Sequence, residues 1–141
     1  VRQMFASDLS DRAIDEMLAA VACSSSPFGL VHLRALGGAL DTVAPDATAY
    51  AHRKSAYFVA IINIWLDPTE DPAPHQAWTA RLWEKIRGEG EGAYVNFLER
   101  EGDARIHEAY PGDTYERLVA IKTAYDPQNL FQFNQNIKPR G

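Results

Sequence analysis

Cysteine is almost absent from this sequence. Cys23 stands alone among 141 residues, which excludes an intramolecular disulfide. The four histidines, His32, His52, His75 and His107, are scattered over separate segments, so no Cys/His spacing suits a structural metal site. A reducing, cytoplasmic setting is the simplest expectation. Positive charge is also short: 14 Lys and Arg against 19 Asp and Glu leave a net charge of -5. That leaves too little basic surface to track a phosphate backbone, and nucleic acid is not expected as a partner. The longest apolar run, Ala56 to Leu66, is interrupted by Asn63. It falls well short of the roughly 20 residues of a membrane helix, so no membrane partner is expected. Catalytic signatures are missing too, with no G-x-S-x-G, P-loop or G-x-G-x-x-G and no nucleophile beside a recognisable base. Gly88-Glu89-Gly90-Glu91-Gly92 alternates glycine with acid, which repels phosphate. The start, Val1 to Phe5, has no initiator Met and no basic stretch leading into an apolar one. It is expected to be the cut edge of a longer chain.

What is present is apolar mass. With 46% hydrophobic, 23% charged and 11% aromatic residues, the chain suits one compact domain. Ser10-Asp11 ahead of Ile14, Met17, Leu18 and Val21 predicts a capped amphipathic helix that ends near Ser24-Ser25-Ser26-Pro27. Phe28 to Leu36 alternates as a strand, with Leu30, His32, Arg34 and Leu36 on one face, and stops at Gly37-Gly38. Tyr57 to Trp65 is the strongest strand, apolar on both faces, so neither face is freely solvated. Pro72-Ala73-Pro74 opens a helix with Trp78, Leu82 and Ile86 in one stripe. Ala93 to Leu98 is expected to be a third strand, paired antiparallel with Tyr57 to Trp65. Asp113 and Glu116 stand at capping-box spacing before a last helix that ends at Asp126-Pro127, followed by a polar, irregular tail. The expected fold is α+β: a small antiparallel sheet with helices on one face and the other face in need of a partner.

Several residues could carry chemistry. Strand alternation would put Tyr94 and Asn96 on one face, where an aromatic wall and an amide could contact a flat heteroaromatic ring; an exposed strand edge is the competing reading. His32 and Arg34 share a face and could offer a cation to an anionic or carbonyl-bearing ligand, or simply face water. His52-Arg53-Lys54 reads as a small basic patch on a solvated loop, and the three tryptophans as packing. From the residues alone, only an α+β domain with one uncovered sheet face is defined.

An ordered series of segments adds to this. Leu36-Gly37-Gly38-Ala39-Leu40, Tyr50-Ala51-His52-Arg53, the strand ending in Trp65, Tyr94-Val95-Asn96-Phe97, Tyr125-Asp126-Pro127-Gln128-Asn129-Leu130-Phe131 and Asn134-Gln135-Asn136-Ile137 follow one another along most of the chain. Together they resemble the C-terminal part of the berberine-bridge-enzyme-like FAD-linked oxidoreductases. The resemblance implies that residues 1–92 are the later part of a substrate-binding domain and residues 93–141 a berberine-like C-terminal segment. It implies a sheet roofing the flavin ring of FAD, a FAD-binding domain supplied upstream or in trans, and oxidation of a small organic alcohol, sugar or amine by hydride transfer. The isolated chain would then be inactive.

By position in those motifs, Tyr94 and Asn96 resemble residues beside the flavin, while Arg34, Phe58, Ala60 and Phe97 fall where relatives place substrate-pocket residues. Phe97 departs from the tyrosine that many plant and fungal relatives carry, and phenylalanine cannot move a proton. No proton acceptor is identified, Tyr57 and His32 being weak candidates. The competing expectation is a stand-alone, non-catalytic ligand-binding or oligomerisation module that buries its sheet face in a ligand or a homodimer.

Overall fold

A computed structural model describes residues 1–141. The first element was not expected. Arg2–Ala6 is a strand (β1), and it is the buried partner of the central strand rather than a frayed start. Helix α1 (Asp11–Ala22) follows, its Ser10 cap accepting from the Ala13 N–H at 3.2 Å. Strand β2 spans Leu30–Ala35, β3 spans Tyr57–Ile62, and α2 spans Ala73–Ile86. Two further helices, α3 (Asp103–Ala109) and α4 (Thr114–Tyr125), complete the order. Asp113 precedes α4 without a side-chain cap bond; Glu116 instead pairs with Arg140 of the tail at 2.7 Å.

The sheet is antiparallel in the order β1-β3-β2, with Met4 opposite Val59, Phe5 opposite Phe58 and Arg34 opposite Phe58 from the other side. The segment expected as the third strand differs. Residues Val95–Phe97 form a 3-10 turn, and the antiparallel partner of β3 on that side is β1. Gln3 explains the placement: its amide accepts from the Tyr94 N–H at 2.9 Å and faces the Tyr94 carbonyl at 3.5 Å. The backbone at Tyr94 is thereby held by a side chain of β1, crossing the sheet face instead of extending its edge.

Strand alternation splits the core in two. Met4, Val59 and Ile61 meet the α2 stripe of Trp78, Leu82 and Ile86 and the buried Ala13 and Met17 of α1. The expected α2 stripe is therefore the core. The α1 stripe is rolled differently: Met17 is buried, but Ile14, Leu18 and Val21 are exposed, because Trp78 docks at Ala20 through an Nε1–H bond to its carbonyl (2.9 Å). The opposite face carries Phe5, Phe58 and Ala60, with Leu36, Tyr50, Ile62, Tyr94 and Phe97 packed against them. No helix of the chain is long and apolar enough to cross a membrane.

Candidate functional site

The second sheet face is not bare. A loop carrying Tyr50 and His52 and the turn of Tyr94 to Phe97 cover its β1–β3 half with aromatic rings. Phe58 sits at the centre, 5.2 Å from Phe5, 5.9 Å from Tyr94 and 5.2 Å from Phe97 between ring centroids. Its contacts with Tyr94 and Phe97 are edge-to-face, the arrangement ring quadrupoles favour. The β2 half is open: Leu30 and Arg34 are exposed, His32 is half-buried, and all three lie on this face by register.

The six residues singled out from the motifs converge on this one face, in different roles. Arg34 and Asn96 reach solvent, and Tyr94 and Phe97 are half-buried walls. Phe58 and Ala60, at 2% and 0% exposure, form a floor beneath the aromatic cover and present no surface to a ligand. Tyr94 and Asn96 come together, but not by strand alternation. The 3-10 turn brings the Asn96 Nδ2–H to donate to the Tyr94 hydroxyl at 2.8 Å, and the amide oxygen of this exposed residue accepts no hydrogen bond within the chain. Of the two weak proton-acceptor candidates, Tyr57 packs on the helix side and is removed from this face, whereas His32 stands opposite Ala60 upon it.

His52-Arg53-Lys54 is not a solvated patch. Only Lys54 is exposed, where it pairs with Asp41. His52 stacks on Phe5 at 4.4 Å and donates through Nε2–H to the Glu108 carbonyl (2.9 Å). Burial holds its pKa below the ordinary imidazole value, against the opposing pull of that carbonyl and of Glu91 and Glu108. Gly92, at φ +69°, lies against the His52 ring, and a Cβ there would come within 2.2 Å of it. Arg53 is buried with its guanidinium 5.5 Å from the Tyr50 ring centroid. Burial and the neighbouring Tyr94 raise the pKa of Tyr50 above the usual phenol value, while Arg53 and Arg34 pull it back. Tyr50 thus stays a hydrogen-bond donor at neutral pH. Sequence reading passed over Tyr50 and Arg53 as site residues because a basic tripeptide alone looks solvated; the adjacent tyrosine was the available signal.

A second polar cluster lies elsewhere. Ser25 Oγ is 3.0 Å from His75 Nδ1, His75 Nε2 is 3.0 Å from Glu70, and Trp65 stacks on the imidazole at 4.9 Å. The ring is sealed, and Asn63 also donates to Ser25. These bonds tie the loop after α1 to the end of β3 and the start of α2, satisfying a buried histidine. Among the four histidines this accounts for His75, and no group of three or more His, Cys, Asp or Glu could hold a metal ion.

The tail is irregular but not uniformly polar. Asp126 accepts from the Leu130 and Phe131 N–H groups and pairs with Lys122, which holds its carboxyl below the usual range. The segment so ordered turns Tyr125, Leu130, Phe131 and Phe133 outward, all at least 68% exposed.

A three-stranded antiparallel sheet with helices on one side and an aromatic-walled second face defines an α+β domain of the kind found in flavin-linked oxidoreductases. The family profile described as "Berberine and berberine like" matches residues 93–138. An uncharacterized FAD-linked oxidoreductase of Bacillus subtilis is 34% identical over 93% of this chain and 29% of its own length. The aclacinomycin-N/aclacinomycin-A oxidase of Streptomyces galilaeus is 27% identical over 86% of this chain and 25% of its own. Among solved structures, a glycopeptide hexose oxidase superposes with a TM-score of 0.84 at 26% identity, over 98% of this chain and 32% of that one. BBE-like 1 of Physcomitrella patens gives 0.83 at 27% identity, over 99% and 30%. The chain belongs to the berberine-bridge-enzyme-like FAD-linked oxidoreductases. It spans under a third of the length of the relatives it matches.

Proposed function

We propose that the second sheet face is one wall of the site in which a FAD-dependent oxidoreductase oxidises a small organic alcohol, sugar or amine, and that the remaining walls come from a FAD-binding domain upstream or in trans. The observation that carries this reading is the turn at Tyr94 to Phe97: it crosses the sheet face, joins the exposed Asn96 amide to the Tyr94 hydroxyl, and sets that amide beside the stacked rings of Tyr94 and Phe97. That set suits the edge and face of a flat heteroaromatic ring. The residues therefore fit the ring end of FAD, with the nucleotide end held by the missing part.

In this reading residues 1–92 belong to the substrate-binding domain and residues 93–141 form the berberine-like segment. FAD, when bound, would supply the acceptor for a hydride from a C–H beside oxygen or nitrogen. This chain contributes orientation: Tyr94 and Asn96 hold the ring edge, Phe97 and Arg34 border the substrate, and Phe58 and Ala60 support them from beneath. Phe97 moves no proton, so the base that takes the substrate's acidic proton comes from elsewhere. The outward Tyr125, Leu130, Phe131 and Phe133 are the surface on which the FAD-binding domain seats. Large apolar side chains held outward by an ordered hub favour such a contact.

The test is the full-length protein. Purified, it should show the absorbance of oxidised FAD, and Asn96→Ala should lower flavin occupancy or shift its spectrum. A folded full-length protein without flavin would overturn the reading and leave a non-catalytic ligand-binding module.

A further inference from the structure

Arg53 carries a charge that nothing in the chain answers. The residue is 9% exposed, its one side-chain hydrogen bond runs from Nη2 to Thr48 Oγ1 at 2.7 Å, and its buried Nε donates to no acceptor. Neither Arg53 nor Arg34 stands in an ion pair: Asp41 is taken by Lys54, and no other carboxylate reaches them. Buried charges are as a rule paired, because removing an ion from water costs several kcal/mol unless an opposite charge meets it. Tyr50 has the Arg53 guanidinium 5.5 Å from its ring centroid and packs on the Phe5, Phe58 and Ala60 cluster, where Arg34 stands opposite Phe58 in the sheet. The region thus combines one free exposed fork, one buried fork with an unused donor, and one hydroxyl, with no acid to neutralise them.

We infer that Arg34, Arg53 and Tyr50 form an anion-binding corner of the second face, and that the small molecule taken there carries an anionic oxygen, of a carboxylate or phosphate group, at its Arg34 end. This rests on reading that face as a substrate wall. The planar guanidinium of Arg34 can meet two oxygens of such a group in parallel, Tyr50 adds a third donor, and Arg53 supplies fixed charge behind them. The rest of the molecule would then lie toward Asn96 and Phe97, away from the charged end. The corner selects among substrates rather than performing chemistry. Arg34 and Tyr50 are binding residues, and Arg53 acts on the ligand through its charge.

Titration calorimetry on the full-length protein tests this with benzoate, phenyl phosphate and the neutral benzamide as probes. At least one anion should bind saturably and at least tenfold more tightly than benzamide, and the better of the two anions identifies the group. Arg34→Met should weaken that anion tenfold or more without changing benzamide, Arg34→Lys should restore part of the loss, and Tyr50→Phe should weaken it about threefold. Because Arg34 is exposed, its variants should keep the wild-type circular dichroism. Equal binding of anions and benzamide, no binding of any probe, or an anion affinity indifferent to Arg34→Met would overturn the inference. So would variants that shift only the flavin midpoint potential, for the corner would then serve the cofactor. Heat of binding does not depend on flavin, so the two readings separate. A flavin-free protein that binds the anion ends the oxidoreductase reading and keeps the corner, and a flavin-containing protein that does not bind it does the reverse.

Discussion

The two faces of the same three strands are built from different materials. On the helix side, Met4, Val59 and Ile61 interdigitate with Trp78, Leu82 and Ile86 in a closed, largely aliphatic layer. On the other side, aromatic rings stand edge-on around Phe58, polar groups thread between them, and the cover stops halfway across the sheet. A layer that only has to exclude water can close completely. A layer that receives something must keep part of itself open and hold its rings by hydrogen bonds, as Gln3 holds Tyr94.

The comparison breaks first at the helix side if it is wrong about where stability resides. Ile86→Ala, at a fully buried position, should cost about 3 kcal/mol, read as a fall in the urea midpoint with unchanged slope. A loss under about 1 kcal/mol would mean that the layer is not closed. Next is Gly92→Ala, which places a methyl into the His52 ring at a positive φ; a loss of about 2 kcal/mol is expected, and a neutral result would show the loop free to move. Tyr94→Phe removes the hydroxyl that accepts from Asn96. It should cost about 1 kcal/mol in stability yet impair flavin retention in the full-length protein more visibly than that cost suggests.

A smaller effect concerns pH. His52 is held neutral by burial and has a lowered pKa in the fold, whereas the unfolded chain takes up its proton near pH 6.5. The unfolded state therefore binds more protons as pH falls through 6.5 toward the folded value, and stability drops in that window but not above it. His52→Gln should flatten this part of the urea midpoint against pH between 7.5 and 5.5. An unchanged slope would assign the dependence to other groups. Smallest of all, Glu84→Gln breaks an exposed pair with Arg87 and should stay within about 0.5 kcal/mol of wild type.

Much of the helix side was legible because it follows a simple period. Trp78, Leu82 and Ile86 recur every four residues and are buried as that spacing predicts, and β3 lies within the most β-branched run. Ile14, Leu18 and Val21 share the same periodicity and are exposed nonetheless, because α1 is oriented by the docking of Trp78 at Ala20. On the second face the motifs brought Arg34, Phe58, Ala60, Tyr94, Asn96 and Phe97 to attention together, and all six lie there. Their geometry was not legible. A strand was expected where a turn stands, since a short run with Tyr94, Val95 and Phe97, all of high β-propensity, cannot reveal that Gln3, 91 positions before Tyr94, binds its backbone. Strand β1 escaped notice for a related reason: with Arg2 and Gln3 among its five residues, only its place beside β3 makes it core.

By itself the sequence determined the class of fold, the family, and the existence of a sheet face that helices do not cover, because these follow from short-range periodicity and from ordered local motifs. Tertiary structure alone decided which residues cover that face, that Phe58 and Ala60 are floor rather than lining, and that Arg53 is buried without a counter-charge. Those properties arise from contacts between distant segments, where burial and electrostatics depend on what folds against a residue and not on its neighbours in the chain.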